Sequence, residues 1–423
     1  MVVNNLVLHF RPVRVPAKTL AYTHTFGLGG MSLTLVLLLV ATGVLLMFAY
    51  EPAPGNAYES IARLQQNVLF GKLVRSVHHW SANLLLIVVL FHLLRTYFTG
   101  AYHPPRQFNW VLGIALLFCV LSSNFTGYLL PWDQLSYWAI TISTGMLEYV
   151  PAVGGWLQDV IRGGSEIGQA TLINFYTFHT TLIPVTIFVL LAFHFWRVRK
   201  ARGVVVPRSP GDELESQPEK VLALPHLIYR EFVVALVLVA FILTFSVFVT
   251  ASLGEVANPG MSPNPAKPPW YFVGIQELLL HFHPTFAVLV LPVAGAAALL
   301  SVPYLAYEQD TSGIWFASHR GRRFAAVAGV AAVVVTTILV VLDEYWIDFG
   351  SWLPWLPSVV SNGLVPVALL FAGLWGIDVW LAKGHGATRA ERVQTLFVAA
   401  LVAFTTLTAI GVWFRGAGMA LTL

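Results

Sequence analysis

Four histidines stand at matched intervals in two oily segments of the 423-residue chain. In "HHWSANLLLIVVLFH", His78 and His92 are 14 residues apart; in "FHTTLIPVTIFVLLAFHF", His179 and His194 are 15 apart. On an α-helix these steps amount to about 21 Å with an angular offset of about 40°, and about 22.5 Å with about 60°. Each segment therefore presents two imidazoles on one face, near opposite leaflets of a bilayer. An ionisable group inside a membrane is expensive and needs a partner, and neutral imidazole is a common metal ligand. A zinc site wants a third or fourth protein ligand or an open water position. The single cysteine, Cys119, excludes a cysteine-based zinc or iron–sulfur site and any disulfide framework within the chain. Two facing imidazoles with no other ligand suit an iron whose four equatorial positions are already filled, as in heme. A lone membrane histidine is more often a helix–helix hydrogen bond. Four at two matching depths point to two bis-histidine sites, His78 with His179 and His92 with His194. His79 lies about 100° around the helix from His78 and reaches that face only if the helix rotates.

A second spacing runs parallel to the first. Gly29 and Gly43 are 14 residues apart in one apolar segment, and Gly113 and Gly127 are 14 apart in another. Glycine lets a flat ligand approach the backbone, and small residues are also common where membrane helices pack. Each glycine alone fits plain packing; the shared period fits two stacked porphyrins passing four helices. Arg75 lies three residues before His78 and Arg95 three after His92. Two readings stand for them: partners of heme propionates, or arginines that snorkel to the interface.

The elements that must position these residues are membrane helices. Hydrophobic residues make up 57% of the chain and charged residues 10%, against about 25% charged in soluble proteins. A bilayer core takes about 20 apolar residues as a helix. Such stretches lie near 27–50, 77–98, 108–130, 171–197, 231–252, 284–304, 322–342, 362–382 and 392–414. The expected fold is an all-α polytopic membrane protein of about nine spans: a four-helix diheme bundle, then a C-terminal helical domain. Pro184, Pro292 and Pro366 fall inside spans, which membrane helices tolerate. Long connections cover 51–76, 131–170 and 198–230; the second holds amphipathic pieces suited to a membrane surface. Alternating the loops places eighteen of the 24 basic residues, Arg11 among them, on one side and six on the other. The positive-inside rule then puts the N-terminus in the cytoplasm and the C-terminus outside. The opening residues lack a compact apolar leader, so the first span is expected to act as its own insertion signal. On this topology His78 and His179 lie at the outer level, and His92 and His194 at the inner.

The segments "RSVHHWSANLLLIVVLFHLLR", "TGYLLPWDQLSYWAITISTG", "FHTTLIPVTIFVLLAFHFWRVRK" and "NPAKPPWYF" resemble cytochrome b of the quinol–cytochrome c or plastocyanin oxidoreductases. The resemblance runs over roughly residues 20–340. It follows the type found in chloroplasts and some bacteria, where the fourth span separates its histidines by 15 residues. There the protein is split after the fourth helix; here 198–230 fuses the halves. The domains implied are a diheme four-helix domain (1–200), a polar linker (201–230), quinol-site helices (231–345) and additional spans (346–423). The function implied is that of the diheme subunit of a respiratory or photosynthetic, proton-translocating oxidoreductase. Such a subunit oxidises quinol at the outer face. One electron goes to a Rieske iron–sulfur partner, and the other passes across two b hemes to an inner quinone site. A c-type cytochrome subunit, a dimeric complex and a bacterial inner membrane go with that reading.

The same resemblance implies site residues. Tyr271 of "PPWYF" would belong to the outer quinol site. The family commonly has Pro-Glu-Trp-Tyr there, and its carboxylate accepts a proton from quinol; here Pro269 replaces it. Glu277 is the candidate substitute, as a buried base of raised pKa, with a solvated acid at a helix start as the alternative. Tyr137, Trp138 and Ala139 would form the opposite wall. At the inner quinone site Arg199 matches a basic position of the chloroplast type. Arg230 and Glu231 resemble a basic–acidic pair of the mitochondrial type, or are interfacial charge. Gly27 stands where the chloroplast type has a heme-tethering cysteine, so no covalent third heme is expected. Two rivals remain for the function: a non-bifurcating diheme anchor between a dehydrogenase and quinone, and a transporter whose histidines relay protons.

Overall fold

A computed structural model describes residues 12–212 and 218–422 of the chain. Residues 1–11, on which the reading of the chain's opening and Arg11 fall, lie outside it, as do 213–217 of the linker. Among the described residues, nine helices are long and apolar enough to cross a membrane. The chain is an all-α polytopic membrane protein. The spans are α1 (Leu28–Met47), α3 (Gly71–Phe98), α4 (Gln107–Leu129), α7 (Gln169–Lys200), α8 (Ile228–Phe248), α10 (Phe286–Tyr304), α11 (His319–Tyr345), α12 (Val360–His385) and α13 (Arg389–Trp413). Between them lie α2 (Ala57–Asn67), α5 (Gln134–Gly145), α6 (Gly154–Arg162) and α9 (Val273–His281). One short ribbon departs from the all-helical pattern. Strand β1 (Arg14–Pro16) pairs antiparallel with β2 (Lys220–Leu222), tying the end of the linker to the chain's start.

Contacts between distant loops test the nine-pass topology without reference to hydropathy. Arg75, at the start of the second span, donates to the Ala251 and Ser252 carbonyls just after the fifth, at 2.7 and 2.8 Å. Arg95, near the end of the second, bonds His24, which precedes the first, at 2.9 Å. Arg208, after the fourth span, bonds the Ser312 carbonyl between the sixth and seventh at 2.6 Å. Arg320, opening the seventh, bonds the Gly386 carbonyl between the eighth and ninth at 3.0 Å. Arg415, after the ninth, meets Glu344 at the end of the seventh at 2.7 Å. Every one of these pairs requires alternating passes. The molecule thus has a basic end, with Arg95, Arg208 and Arg320, and an opposite end, with Arg75 and Arg415.

The first bundle forms where α3 packs on α1, α4 and α8, and α4 on α7. Leu35, Leu86, Val77, Val88, Val120, Ile187 and Ile242 fill its centre. Lipid competes for apolar surface, so close fit matters more than burial alone. That is visible where α11 meets α13: a Cβ on Gly329 would lie 3.6 Å from Val398. Phe241, Val247 and Trp375 stay exposed on the outside, as lipid permits.

Pro184, Pro292 and Pro366 follow the same local device. A π turn covers Phe178–Leu182 before Pro184, Phe286–Val290 before Pro292, and Val360–Leu364 before Pro366. Proline has no N–H and its ring crowds the carbonyl four residues back; the wider turn accommodates the break. In α7 this turn contains His179. It absorbs one residue, so the 15-residue step behaves as 14 ordinary α-helical steps. The offset of about 60° expected for an unbroken helix becomes about 40°, the same as between His78 and His92.

Candidate functional site

The π turn brings the four histidines into register. His78 and His179 have ring centroids 6.1 Å apart with planes at 71°; His92 and His194 are 6.5 Å apart with planes at 74°. Metal–imidazole bonds of about 2.0–2.1 Å place two rings on opposite sides of one ion roughly 6 Å apart between centroids. Both pairs have that separation. Among the described residues no group of three or more His, Cys, Asp or Glu is placed to hold a metal ion. The donor set is two imidazoles per site, which fits heme and not a protein-only zinc site. His79 stands apart, edge-on to Trp80 at 4.9 Å.

At the opposite end the rings are braced. His78 Nδ1 lies 2.9 Å from Thr42 Oγ1, whose hydroxyl itself donates to the Leu38 carbonyl at 2.7 Å. Thr42 therefore accepts from the ring. His179 Nδ1 lies 3.0 Å from the Ser123 carbonyl, which can only accept, with Thr126 Oγ1 at 3.4 Å. Protons held on Nδ1 leave both Nε2 lone pairs available to a metal. At the basic end, His194 Nδ1 is buried without a hydrogen bond, the Asn109 backbone being near. That pair opens instead onto a cavity lined by Gly29, Gly113, Arg95 and Arg106.

The glycines serve the histidines directly. A Cβ on Gly43 would lie 3.3 Å from His78 Cε1, on Gly29 3.5 Å from His92 Cε1, and on Gly127 2.5 Å from His179 Cε1. On Gly113 it would meet nothing within 4 Å. Gly127, and more mildly Gly43, thus make room for imidazoles; a Cβ on Gly29 would only touch its ring, and Gly29 and Gly113 border the cavity. Thr42 and Thr126, missed in the sequence reading, each precede one of the 14-spaced glycines; the repeated Thr-Gly dipeptide was the available signal. Arg106 and His24 carried none.

Arg75 is committed to the two carbonyls described above. Arg95 lines the basic-end cavity while its Nη2 sits 2.8 Å from His24 Nε2, itself 2.6 Å from the Val205 carbonyl. Burial and the Arg95 charge push the His24 pKa down to about 4. Arg230 bonds the Leu20 carbonyl at 2.5 Å, and the Glu231 side chain comes close to Gly30 at the start of α1. Arg199 lies at the end of α7, on the same basic end.

The outer-site candidates gather at the opposite end. Asp133 caps α5, accepting from Ser136 N at 2.9 Å. Gln134 N donates to the Glu255 carbonyl at 2.8 Å, and Trp138 Nε1 to the Asn258 carbonyl at 3.1 Å. This stitches α5 to the loop after α8. Tyr137 and Ala139 are buried, Tyr137 packing on Trp132 at 5.6 Å. Tyr271 packs against the bundle core and lies 4.8 Å from the Phe272 ring; burial raises its phenol pKa, so it stays protonated.

Glu277 differs from expectation. Burial favours its neutral form, but hydrogen bonds from His281 and Arg415 hold its pKa below the ordinary value, not above it. Arg415 grips the carboxylate at 2.6 and 3.0 Å, and both side chains are enclosed. A base of raised pKa is thereby excluded at this position while Arg415 remains paired with it.

Residues 15–202 match the family described as cytochrome b/b6/petB. The cytochrome b6 of Desmonostoc sp. (strain PCC 7906) is 43% identical over 180 residues, which cover 43% of this chain and 83% of that protein. The cytochrome b6 of Chlamydomonas reinhardtii is 41% identical over 180 residues, with the same shares. A chain of the solved structure titled "Hyperthermophilic respiratory Complex III" superposes with a TM-score of 0.67 at 22% identity, covering 97% of this chain and 95% of that one. That last likeness extends the common fold beyond residue 202.

Proposed function

Because the chain belongs to the cytochrome b/b6 family of quinol oxidoreductases, with both halves of the fold in one polypeptide, we propose that it is the diheme subunit of a quinol-oxidising, proton-translocating complex. The observation that carries this is the pair of bis-histidine sites on α3 and α7, at 6.1 and 6.5 Å. His78 and His179 would hold one b heme, His92 and His194 the other. The group supplies one-electron redox chemistry at each level when bound. The chain supplies the rest. Thr42 and the Ser123 carbonyl orient two imidazoles; Gly43 and Gly127 admit the rings; Arg95 and Arg106 put positive charge beside the basic-end cavity, where propionates would be neutralised.

Quinol would be oxidised at the opposite end, among Tyr271, Trp138 and the segment joining α8 to α9. There Tyr271 is a hydrogen-bond donor. One electron of each quinol goes to a Rieske partner, which the single cysteine of this chain cannot replace. The other serves a quinone at the basic end, with Arg199, Arg230 and Glu231 as candidates for binding and proton delivery. A c-type cytochrome would follow the Rieske protein, and the complex would be dimeric. The basic end faces the cytoplasm of a bacterial inner membrane by the positive-inside rule.

A reduced-minus-oxidised spectrum of the purified protein tests the heme reading: without a b-type band, both redox functions fail and the proton-relay transporter gains. A Rieske subunit that co-purifies separates bifurcation from simple transfer by a membrane anchor.

A further inference from the structure

The ninth span and the tail beyond it close on the segment read as the outer quinol site. Four contacts link residues 404–418 to residues 264–281. Lys267 Nζ donates to the Val412 carbonyl at 3.0 Å, and Gly418 N to Asn264 Oδ1 at 2.6 Å. Helices α9 and α13 touch backbone to side chain: a Cβ on Gly274 would lie 2.6 Å from Thr408 Oγ1, and one on Gly411 2.4 Å from Val273. The fourth contact is the buried ion pair of Arg415 with Glu277. It extends to Glu344 at 2.7 Å through Arg415, and to Asp343 at 2.6 Å through His281.

A buried ion pair is weak evidence of stability, because apolar residues of equal volume often stabilise as well or better. Its better-attested use is to specify one register among alternatives. Arginine suits that use, since its planar fork accepts a carboxylate in one orientation. Glu277 lies six residues after Tyr271, in the helix that begins immediately after Phe272. Fixing Glu277 therefore fixes the start of α9 and the Trp270–Tyr271 segment that leads into it. The position where the family carries its quinol carboxylate is Pro269, and the next acid downstream is locked to the ninth span.

We propose that Arg415 is a positioning residue for quinol oxidation, the tip of a clamp by which α13 and the tail set the outer quinol segment. This rests on the outer-site reading above. Arg415 acts through Glu277 and touches no substrate.

The test uses the intact complex, with decyl-substituted benzoquinol or naphthoquinol as donor and a ferric c-type cytochrome as acceptor. Arg415→Gln is expected to raise KM for quinol about fivefold or more with b-heme content unchanged. Arg415→Lys, which keeps the charge but loses the fork, is expected to recover part of that. Hydrogen exchange in 264–281 is expected to rise in Arg415→Gln. Unchanged KM and unchanged exchange overturn the clamp, as does a loss of kcat alone that Lys fails to reverse. If Arg415→Gln does not assemble, Lys267→Ala removes one clamp contact without stranding a buried charge; KM should rise about two- to threefold, and an unchanged KM overturns the proposal. A wild-type complex that oxidises neither quinol refutes the outer-site reading instead, and the exchange measurement still decides the clamp.

Discussion

The two histidine pairs share their helices and nearly share their ring separations, 6.1 and 6.5 Å, yet the chain holds them differently. At the opposite end each ring is braced, His78 by Thr42 and His179 by the Ser123 carbonyl. At the basic end the His194 ring has only the Asn109 backbone near it, short of a well-formed hydrogen bond, and the pair borders a cavity flanked by Arg95 and Arg106. For His78 the contrast can be traced to the residue before the glycine it packs on. Thr42 and Thr126 precede Gly43 and Gly127, whereas Leu28 and Leu112 precede Gly29 and Gly113. Helix spacing sets where the imidazoles stand; partners on the neighbouring helices, a hydroxyl for His78 and a carbonyl for His179, set how firmly. One site is organised by the protein, and the other leaves more to the group that occupies it.

The largest expected effect tests whether the pairs are separate sites at all. His92→Ala should abolish b heme at the basic end and leave the opposite-end heme, and His78→Ala should do the reverse. Resolved spectra or heme-to-protein ratios would show one heme lost in each. Two surviving hemes in either variant would break the ligand assignment. Next in size is the glycine contrast. Gly127→Ala puts a methyl 2.5 Å from His179 Cε1, closer than real Cβ contacts come, so the ring must move. Heme at the opposite end should be largely lost. Gly113→Ala meets nothing of the chain within 4 Å and should weaken only the basic-end heme, by less. Equal damage from both would mean the two ends are built alike.

Much of this was legible in the sequence because membranes simplify the code. Apolar runs of bilayer length marked all nine spans, and the basic residues sorted the loops that Arg75, Arg95 and Arg320 later join. The π turn at Phe178–Leu182 was half-legible. The 15-residue step and Pro184 were both visible, but their cancellation requires knowing that the turn widens. The partner of Glu277 was hidden. Arg415 lies 138 residues away, and no periodicity connects a helix after the fifth span to a tail after the ninth. A carboxylate alone in the sequence reads as a base; beside a buried guanidinium it is a structural anion.

Thr42→Val sharpens the comparison with a smaller change. Valine keeps the shape and removes the acceptor of the His78 Nδ1 proton. Loss of such an outer partner typically costs 10–100-fold in metal affinity. Since His179 keeps the Ser123 carbonyl, the lower figure, about tenfold, is expected at the opposite end. The basic-end heme should be unaffected. A titration of heme binding, or midpoint potentials of the two b bands, would read this. An equal shift of both bands would show that the hydroxyl does not brace one site specifically.

The smallest effect distinguishes the ends by the sign of their pH response. His24, bonded to Arg95 beside the basic-end cavity, has its pKa pushed down to about 4 by burial and by the Arg95 charge. Protonation would add a second positive charge 2.8 Å from the Arg95 guanidinium in a buried site. The unfolded imidazole titrates near 6.5, so the stability that neutral His24 contributes is complete above that pH and is lost as pH falls toward 4. At pH 6 the linkage amounts to about fourfold in the equilibrium. At the opposite end burial works against charge on His281, but its hydrogen bonds to Asp343 and Glu277 outweigh that and raise its pKa to about 9. Its contribution is complete below 6.5 and is lost as pH rises toward 9. Acid should therefore loosen hydrogen exchange around Arg95 and Val205, and mild alkali around residues 277–281. His24→Gln, which cannot titrate, should flatten the acid arm and leave the alkaline arm intact. If both arms flatten together, the two ends are coupled through the bundle, and the separate bracing of the histidine pairs would not be the source of their difference.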